Sequence, residues 1–502
     1  MSSLSHSRQF IQTLGVAALL SCLGSTGWAQ PGAATPPMTP APPMTPAAGA
    51  EAPKTEELLP KFIIEDSTET PEAPKFKGVK DAMDLFVKRD FDRARKTFEE
   101  ARLNNKELPP AEILMTRMLI AARQPQLARA ELEQCVRTNE ADPEPYLYFA
   151  EAAISEGRVT DAAAVIALCF PRLQAYKDNV FRKNNLVKRY FSINAAVAES
   201  RKQWDEAKKS LEEWIRLDPK AAVAHQRLAR VLFQSNSKDP NVFKELEIAA
   251  SLEKSFPSPN ISMAQLFESL NDTTGREAAT KYVEAAVAEK VDASNKDRVL
   301  KSFLTATQFA VATNKLQDAV KYADGAIKID PKSLEAQLTR GTIARMTRDY
   351  KTAEAQLDAL YAQNPINFAV SNNLALVLAE QTEPAKKERA LQLAMLNFNN
   401  NKQNQQLAVE AAATLGWTYY KQGNLQKAEE ALQAVIQSNQ LTPDSAYYVA
   451  RVLSDRGRNA DALNIVNVAL QTPVFFNRME AEALQRKLAA AAPDSSKEAP
   501  KK

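Results

Sequence analysis

Histidine, cysteine and glycine are scarce in this chain, whose 502 residues include two, three and thirteen of them, respectively. His6 lies in the N-terminal segment, and His225 is the one histidine in the rest of the chain. A histidine triad or zinc site needs partners at a defined spacing, and no H-x-x-x-H pattern is present. Phosphate-binding glycine loops and nucleophile-elbow motifs are also missing. We therefore expect no enzyme activity, cofactor or metal site, and we interpret His225 as a packed or surface residue.

Long runs of one charge are missing as well. Lys and Arg together number 64, against 61 Asp and Glu, and the two signs are interleaved along the sequence. Nucleic-acid-binding proteins usually concentrate basic residues in a patch or stripe. We expect neither a nucleic-acid partner nor a small-molecule substrate. The low glycine content and the abundance of alanine and leucine favour helices over sheets.

The first 29 residues have the pattern of a secretory signal peptide. Arg8 precedes an apolar stretch that is too short for a comfortable membrane span, and Gly27 and Ala29 form a small-x-small cleavage site. The pattern predicts cleavage after Ala29 and export to the periplasm or cell envelope. Leu19 to Cys22 also resembles a lipobox, in which the cysteine is acylated. A lipoprotein anchored to the membrane through Cys22 is the alternative.

Residues 30–74 form a predicted disordered linker that is rich in proline and alanine. Nine prolines fall between residues 30 and 60, and proline-rich chain resists helix formation and stays extended. Near the end of the linker, LLPKFIIED (58–66) is an apolar island flanked by acidic residues. It either folds back onto the following helices or binds a partner. Residues 491–502 are expected to form a disordered tail.

Small residues recur at intervals of 34 through much of the remaining chain. The interval separates Ala94 from Ala128 and Ala128 from Ala162. It returns between Ala319 and Ala353, and between Ala428 and Ala462. A second series stands twelve residues upstream, at Ala82, Thr116, Ala150, Thr307, Gly341, Gly416 and Ala450. A fixed period of this length indicates a stack of repeated structural units.

These units resemble the tetratricopeptide repeat family, whose 34-residue repeat is a helix-turn-helix with small residues at two positions. In AATLGWTYYKQGNLQKAEEALQAVI, Gly416 matches the small residue of the first helix and Ala428 that of the second. The resemblance implies an all-α fold. We expect an α-solenoid (superhelix) of about ten or eleven repeats over residues 76–475, closed by a capping helix over 476–490.

Three stretches depart from the repeat pattern. Residues 223–297 keep a helical pattern but lose the register, and residues 164–188 and 381–390 look like insertions between or within repeats. Elsewhere, Gly or Ala at the two facing positions lets the paired helices approach closely, because a bulky side chain would hold them apart. Stacked units then share one continuous core.

The two cysteines outside the signal segment, Cys135 and Cys169, are also 34 residues apart. Equivalent helices of stacked repeats lie about 8–10 Å apart, which exceeds the roughly 7 Å Cα limit for a disulfide. We interpret both as small buried hydrophobic residues.

The resemblance implies that the first helices line a concave face that binds peptides. At the family's contact positions, the C-terminal repeats have aromatic residues beside an arginine, a composition typical of binding hot spots. Packing between neighbouring repeats explains the same aromatics equally well. Asparagine at such positions holds peptide backbone in the family. The candidate residues are Trp417, Tyr420, Tyr447, Arg451, Asn372 and Asn373.

The sequence thus predicts a non-catalytic scaffold of the bacterial cell envelope that binds a protein or peptide in the solenoid groove. The alternative is a lipid-anchored structural subunit of an envelope assembly. An enzyme is a distant third interpretation.

Overall fold

The computed structural model describes residues 76–491. The predicted signal peptide and linker lie outside the described residues, as does nearly all of the predicted tail. Within them the secondary structure is helical, without strands, which confirms the all-α prediction. The helices are α1 Lys77–Val87, α2 Phe91–Asn104, α3 Ala111–Ala121, α4 Pro125–Thr138, α5 Glu144–Ser155, α6 Val159–Ala175, α7 Val180–Ser200, α8 Trp204–Leu217, α9 Ala222–Ser235, α10 Asn241–Leu252, α11 Pro259–Glu268, α12 Thr273–Val287, α13 Lys296–Ala312, α14 Leu316–Ile329, α15 Leu334–Met346, α16 Tyr350–Gln363, α17 Phe368–Ala379, α18 Pro384–Asn400, α19 Gln405–Lys421, α20 Leu425–Gln437, α21 Pro443–Asp455, α22 Asn459–Leu470 and α23 Arg478–Ala491.

The described residues divide into two compact units, 76–279 and 280–491, with the boundary inside α12. In the first unit, α1 to α10 pack as five consecutive pairs. The small residues of the repeat pattern lie in the core; Ala82, Ala94, Thr116 and Ala150 are fully buried. These ten helices therefore form helix-turn-helix pairs, as the 34-residue period predicts.

The extra residues of the stretch 164–188 lie within the repeat helices. The extra residues lengthen α6, which continues through Pro171 to Ala175, and α7, which begins at Val180. A buried ion network holds the start of α7 against the start of α5. Arg182 is 1 % exposed and donates hydrogen bonds to Asp142, at 2.8 Å, and to Glu144, at 2.7 Å.

The stretch 223–297, where the repeat register is lost, still contains helices. α9 and α10 pack against each other as a pair. His225 ties this pair together, because its Nδ1 lies 2.6 Å from Glu245 Oε2 and its Nε2 lies 3.1 Å from the Pro219 carbonyl oxygen. His225 is buried, so it is a packed residue and not a surface residue.

In the second unit, α13 to α22 form five further pairs, and α23 packs against α22 and α21. The stretch 381–390 becomes a short link and the first turns of α18. Gly416 lies at a close approach between α19 and α20, since a Cβ atom there would lie 2.5 Å from Leu432 Cγ. Gly341 occupies the equivalent position in α15, where a Cβ atom would lie 3.1 Å from Leu357 Cγ.

Most turns between paired helices contain one residue in the left-handed backbone region. Gly157, Gly423 and Gly457 do so as glycines, with φ between 73° and 82°. Other turns use larger residues, at Arg89, Arg123, Lys202, Asn314 and Arg348. Arg89, Arg123 and Gly157 follow one another at the 34-residue period. The turn conformation therefore repeats even where glycine does not.

Cys135 and Cys169 are free thiols buried in the core of the first unit, as predicted. Burial raises the pKa of Cys169 to about 12, so this thiol stays protonated. No helix among residues 76–491 combines the length and apolarity that a membrane crossing needs.

Candidate protein-binding site

The six candidate residues all lie in the second unit, on three first helices. α17, α19 and α21 contact one another in sequence, in addition to packing against their own partners. Trp417 directly follows the small residue Gly416 in α19, and Arg451 follows Ala450 in α21. Residues at equivalent repeat positions share a face of the stack, so the fold brings these side chains together.

Trp417 is the centre of an aromatic cluster. Its ring stacks on Tyr448, with centroids 4.4 Å apart, and on Tyr420, at 5.0 Å. Tyr447 lies tilted against it at 5.7 Å. Only 3 % of Trp417 and 6 % of Tyr447 is exposed. These two residues thus pack between neighbouring repeats, and they form a rigid base for the more exposed groups beside them.

Charged groups fix the position of the indole ring. The Trp417 Nε1–H donates a hydrogen bond of 2.7 Å to Glu380 Oε1. The other carboxylate oxygen of Glu380 accepts a hydrogen bond of 2.9 Å from Lys421, whose ammonium group lies 5.4 Å from the centre of the indole. The indole is therefore held by a hydrogen bond at one edge and by a cation over its face.

Tyr420 and Arg451 form the accessible part of the site, since both are half-buried. Arg451 Nε donates a hydrogen bond of 2.7 Å to the Tyr420 hydroxyl, which donates one of 2.8 Å to Asp455 Oδ2. Arg451 Nε also lies 3.4 Å from that carboxylate oxygen. Burial raises the pKa of Tyr420 and Arg451 opposes this rise, so the phenol remains protonated at neutral pH. The three groups present both a donor and an acceptor at the edge of the cluster.

Asn372 and Asn373 are buried in α17. Asn372 Nδ2 donates to Glu410 Oε1 at 3.1 Å, while its Oδ1 accepts no hydrogen bond from the described residues. Asn373 Nδ2 donates a hydrogen bond of 2.9 Å to the carbonyl oxygen of Ala369, within its own helix. The structure therefore places Asn372 between α17 and α19, and Asn373 in the packing of α17.

Sequence reasoning missed several members of this site. Tyr448 stacks most closely on Trp417, and its position next to Tyr447 was a usable signal. Glu380 and Asp455 lie at the C-terminal ends of α17 and α21, outside the family's contact positions. Arg345 in α15 also reaches the cluster, next to Tyr448, and burial raises the pKa of that tyrosine. No sequence pattern connects Arg345 with residues a hundred positions away.

The first helices of the other unit carry charges that are already paired. Burial alone would raise the pKa of Glu144, but Arg117, Arg182 and Arg189 lower it to about 2. Glu199 pairs in the same way with Arg227, at 2.8 Å.

Among the described residues no cluster of His, Cys, Asp or Glu has the composition and proximity of a metal site.

A family model described as tetratricopeptide repeat matches residues 302–365, 338–396 and 414–473. These parts of the chain carry tetratricopeptide repeats. The matched segments include all of α17 and α21 and the part of α19 from residue 414, and thus the six candidate residues. Proteins built from tetratricopeptide repeats typically bind proteins or peptides and are generally non-catalytic scaffolds.

Solved structures with similar helical repeats come from several organisms. Yeast Tom70 is 13 % identical, with 84 % of this chain and 97 % of that chain covered and a TM-score of 0.34. A thermophilic tetratricopeptide repeat protein of Thermus thermophilus is 20 % identical, with 38 % and 98 % covered and a TM-score of 0.32. The apo form of the quorum sensor NprR from B. thuringiensis is 12 % identical, with 72 % and 97 % covered and a TM-score of 0.34. No curated protein matches the chain in sequence.

Proposed function

We propose that this protein is an exported, non-catalytic scaffold of a bacterial cell envelope. It binds a protein or peptide segment on the first-helix face of residues 280–491. The observation that carries the proposal is a series of hydrogen bonds at the edge of a rigid aromatic cluster, from the half-buried Arg451 and Tyr420 to the exposed Asp455. A preformed donor and acceptor next to aromatic rings binds a partner at little ordering cost on the scaffold's side.

Capture of a partner from envelope extracts by the full mature chain tests this proposal. Arg451→Ala removes the accessible guanidinium, and we expect it to reduce capture about tenfold or more, because hot-spot residues typically contribute about 2 kcal/mol or more. Trp417→Ala is unsuitable, since removal of a buried indole would unfold the last repeats. Arg456→Ala is the matched control, because Arg456 is an exposed arginine at the end of the same helix whose side chain pairs with Glu429.

Helical content and melting temperature of both variants should stay close to those of the unmodified protein. Equal capture by the Arg451 variant and the Arg456 variant would show that the partner binds elsewhere. A protein captured by the control but not by the Arg451 variant would then be identified by mass spectrometry.

Export is supported by the pattern of Arg8, the apolar stretch and the site at Ala29. Simple secretion predicts a mature N-terminus at Gln30, which intact-mass measurement of the exported protein would detect. The second candidate, a lipid-anchored structural subunit, is favoured by the lipobox-like Leu19 to Cys22. It predicts incorporation of radiolabelled palmitate that is lost in the Cys22→Ser variant.

A further inference from the structure

The segment that joins α22 to α23 lies against the end of α15, although about 130 residues separate them in sequence. The Phe476 ring is 4.6 Å from the Arg345 guanidinium carbon and 5.7 Å from that of Arg348. Four residues later, in the first turn of α23, Glu480 forms an ion pair with Arg348. An aromatic ring and a carboxylate of one segment therefore meet two guanidinium groups of another.

The same segment is also fixed to α21. The backbone N–H and the side-chain Nδ2 of Asn477 donate to Asp444 Oδ1, at 3.1 Å and 2.9 Å. Both Phe476 and Asn477 are buried, with 8 % and 3 % exposed. Because Asp444 lies in the first turn of α21, these bonds hold the segment on the helix that carries Tyr447, Tyr448 and Arg451.

Contacts lead from this segment to the centre of the candidate site. Arg345 lies next to Tyr448, and Tyr448 stacks on Trp417. Phe475 belongs to the same buried core as Trp417 and Tyr447. The segment Phe475–Glu480 thus covers part of the face on which the proposed partner would bind.

We propose that Phe476 to Glu480 is a built-in ligand of this face. The arginine pair Arg345 and Arg348 accepts, from a partner protein, a peptide in which an aromatic residue lies just before a helix and a carboxylate lies in the first turn of that helix. Phe476 and Glu480 have this arrangement in the chain itself, since Phe476 lies in the turn before α23 and Glu480 lies in its first turn. The inference rests on the proposed function and specifies the partner of the same face.

Occupation by the chain's own segment has a consequence for affinity. A partner reaches the arginine pair only in molecules whose segment has left it, so the apparent dissociation constant rises by the inverse of the open fraction. The tethered segment competes at a high effective concentration. The intact protein should therefore bind its partner more weakly than a protein whose segment is disabled.

Binding of a labelled synthetic peptide spanning Val474–Gln485 tests the proposal by fluorescence anisotropy. The receptor is the full mature chain with Phe476→Ala and Glu480→Arg, which disables the segment but keeps Arg345 and Arg348. We expect this variant to bind the peptide at least about tenfold more tightly than the unmodified chain. Met479→Ala is the matched control receptor, because Met479 lies in the same segment and is 68 % exposed. It should bind like the unmodified chain.

Two peptide changes show whether the arginine pair is the site. A peptide with Phe476→Ala should lose binding to the disabled receptor. A peptide with Glu480→Arg should bind a full chain that carries Arg348→Glu, and should not bind the unmodified chain. This exchange needs no change at the buried Phe476, so it remains informative if the first receptor is unstable.

Equal binding of the peptide by the unmodified and disabled chains would overturn the inference. Absence of binding to a disabled receptor with unchanged circular dichroism, together with failure of the charge exchange, would overturn it too. The proposed function is tested separately by protein capture with the Arg451 variant. If the protein captures a partner through Arg451 but does not bind the peptide, the proposed function stands and the inference about the Phe476 segment is wrong.

Discussion

Gly416 lies where α19 packs against α20, at a point that leaves no room for a side chain. A Cβ atom would meet Leu432 Cγ at 2.5 Å and the Ala428 carbonyl oxygen at 3.2 Å. We predict that Gly416→Ala destabilises the protein by about 1–3 kcal/mol through overpacking, despite the higher helix propensity of alanine. Denaturant unfolding followed by circular dichroism measures the change. Gln433→Ala, on the exposed face of α20, serves as the control, and equal stability of the two variants would contradict the close approach.

Burial of the Glu268 side chain disfavours the ionised form of its carboxyl group. Its Oε2 is buried without a hydrogen-bond partner among the described residues. Burial raises the pKa of Glu268 from 4.5 to about 7, partly opposed by Arg276. Below pH 4.5 both the folded and unfolded states hold the proton. Between pH 4.5 and about 7 the unfolded state ionises first, so the folded protein loses stability as pH rises.

We predict that Glu268→Gln removes this loss. The variant should match the unmodified protein near pH ~4 and exceed its free energy of unfolding at pH ~8 by roughly 1–3 kcal/mol. Urea unfolding at both pH values measures this difference. Glu277→Gln, at an exposed position on α12, should show no such pH-dependent gain. A parallel pH profile for the two variants would show that Glu268 is not buried in the folded protein.

At the scale of the helix pair, most turns need one residue with a positive φ, and several of these positions hold a residue other than glycine. Arg123 has φ of 57° and follows α3 in a bonded turn, in which the Gln124 N–H donates a hydrogen bond of 2.8 Å to the Leu119 carbonyl oxygen. Non-glycine residues adopt this conformation at an energetic cost. We predict that Arg123→Gly stabilises the protein by about 0.5–1 kcal/mol, as measured by thermal unfolding. Arg123→Ala is the control, and stabilisation by alanine as well would point to the lost charge.

Spacing in the sequence predicted the helix pairs because the close approach of two helices tolerates only small residues. Ala94, Ala353 and Ala428 are all fully buried at such contacts. The left-handed turns could not be predicted in the same way, since Arg89 and Arg123 stand where Gly157 does in the next pair. The sequence left open whether the extra residues of 164–188 lie between or within repeats, because helices absorb extra residues by extension and leave no gap in the helical pattern; the structure places them within α6 and α7.

The candidate site was predictable in part. Trp417, Tyr420, Tyr447 and Arg451 lie near one another because α19 and α21 are equivalent helices of neighbouring repeats, and that assignment needs only the period. Their burial depends on what covers the face, and one covering element is the segment around Phe476. Its contact with Arg345 joins residues about 130 positions apart within the second unit. A period describes neighbouring units and carries no information about contacts of this range.

In the whole unit 280–491, removal of the C-terminal residues should destabilise some helices more than others. In a simple stack each repeat contacts only its neighbours, so removal of the last helix weakens the last pair most and earlier pairs progressively less. The contacts of Phe476 and Glu480 with Arg345 and Arg348 also connect the C-terminal segment directly to the end of α15. Loss of α23 should therefore also affect the turn between α15 and α16.

We predict two separate regions of lost amide-exchange protection in a chain that ends at Thr472. One comprises α21 and α22, and the other the residues around Arg345 and Arg348, each with protection reduced about tenfold or more. A chain that ends at Ala491 retains α23 and is the matched control. Protection that declines steadily from α22 towards α13, with no second region, would mean that the Phe476 contact contributes little and that nearest-neighbour stacking alone holds this unit together. A second region at α15 would instead show that the unit is stabilised across its first-helix face, in the place where the proposed partner binds.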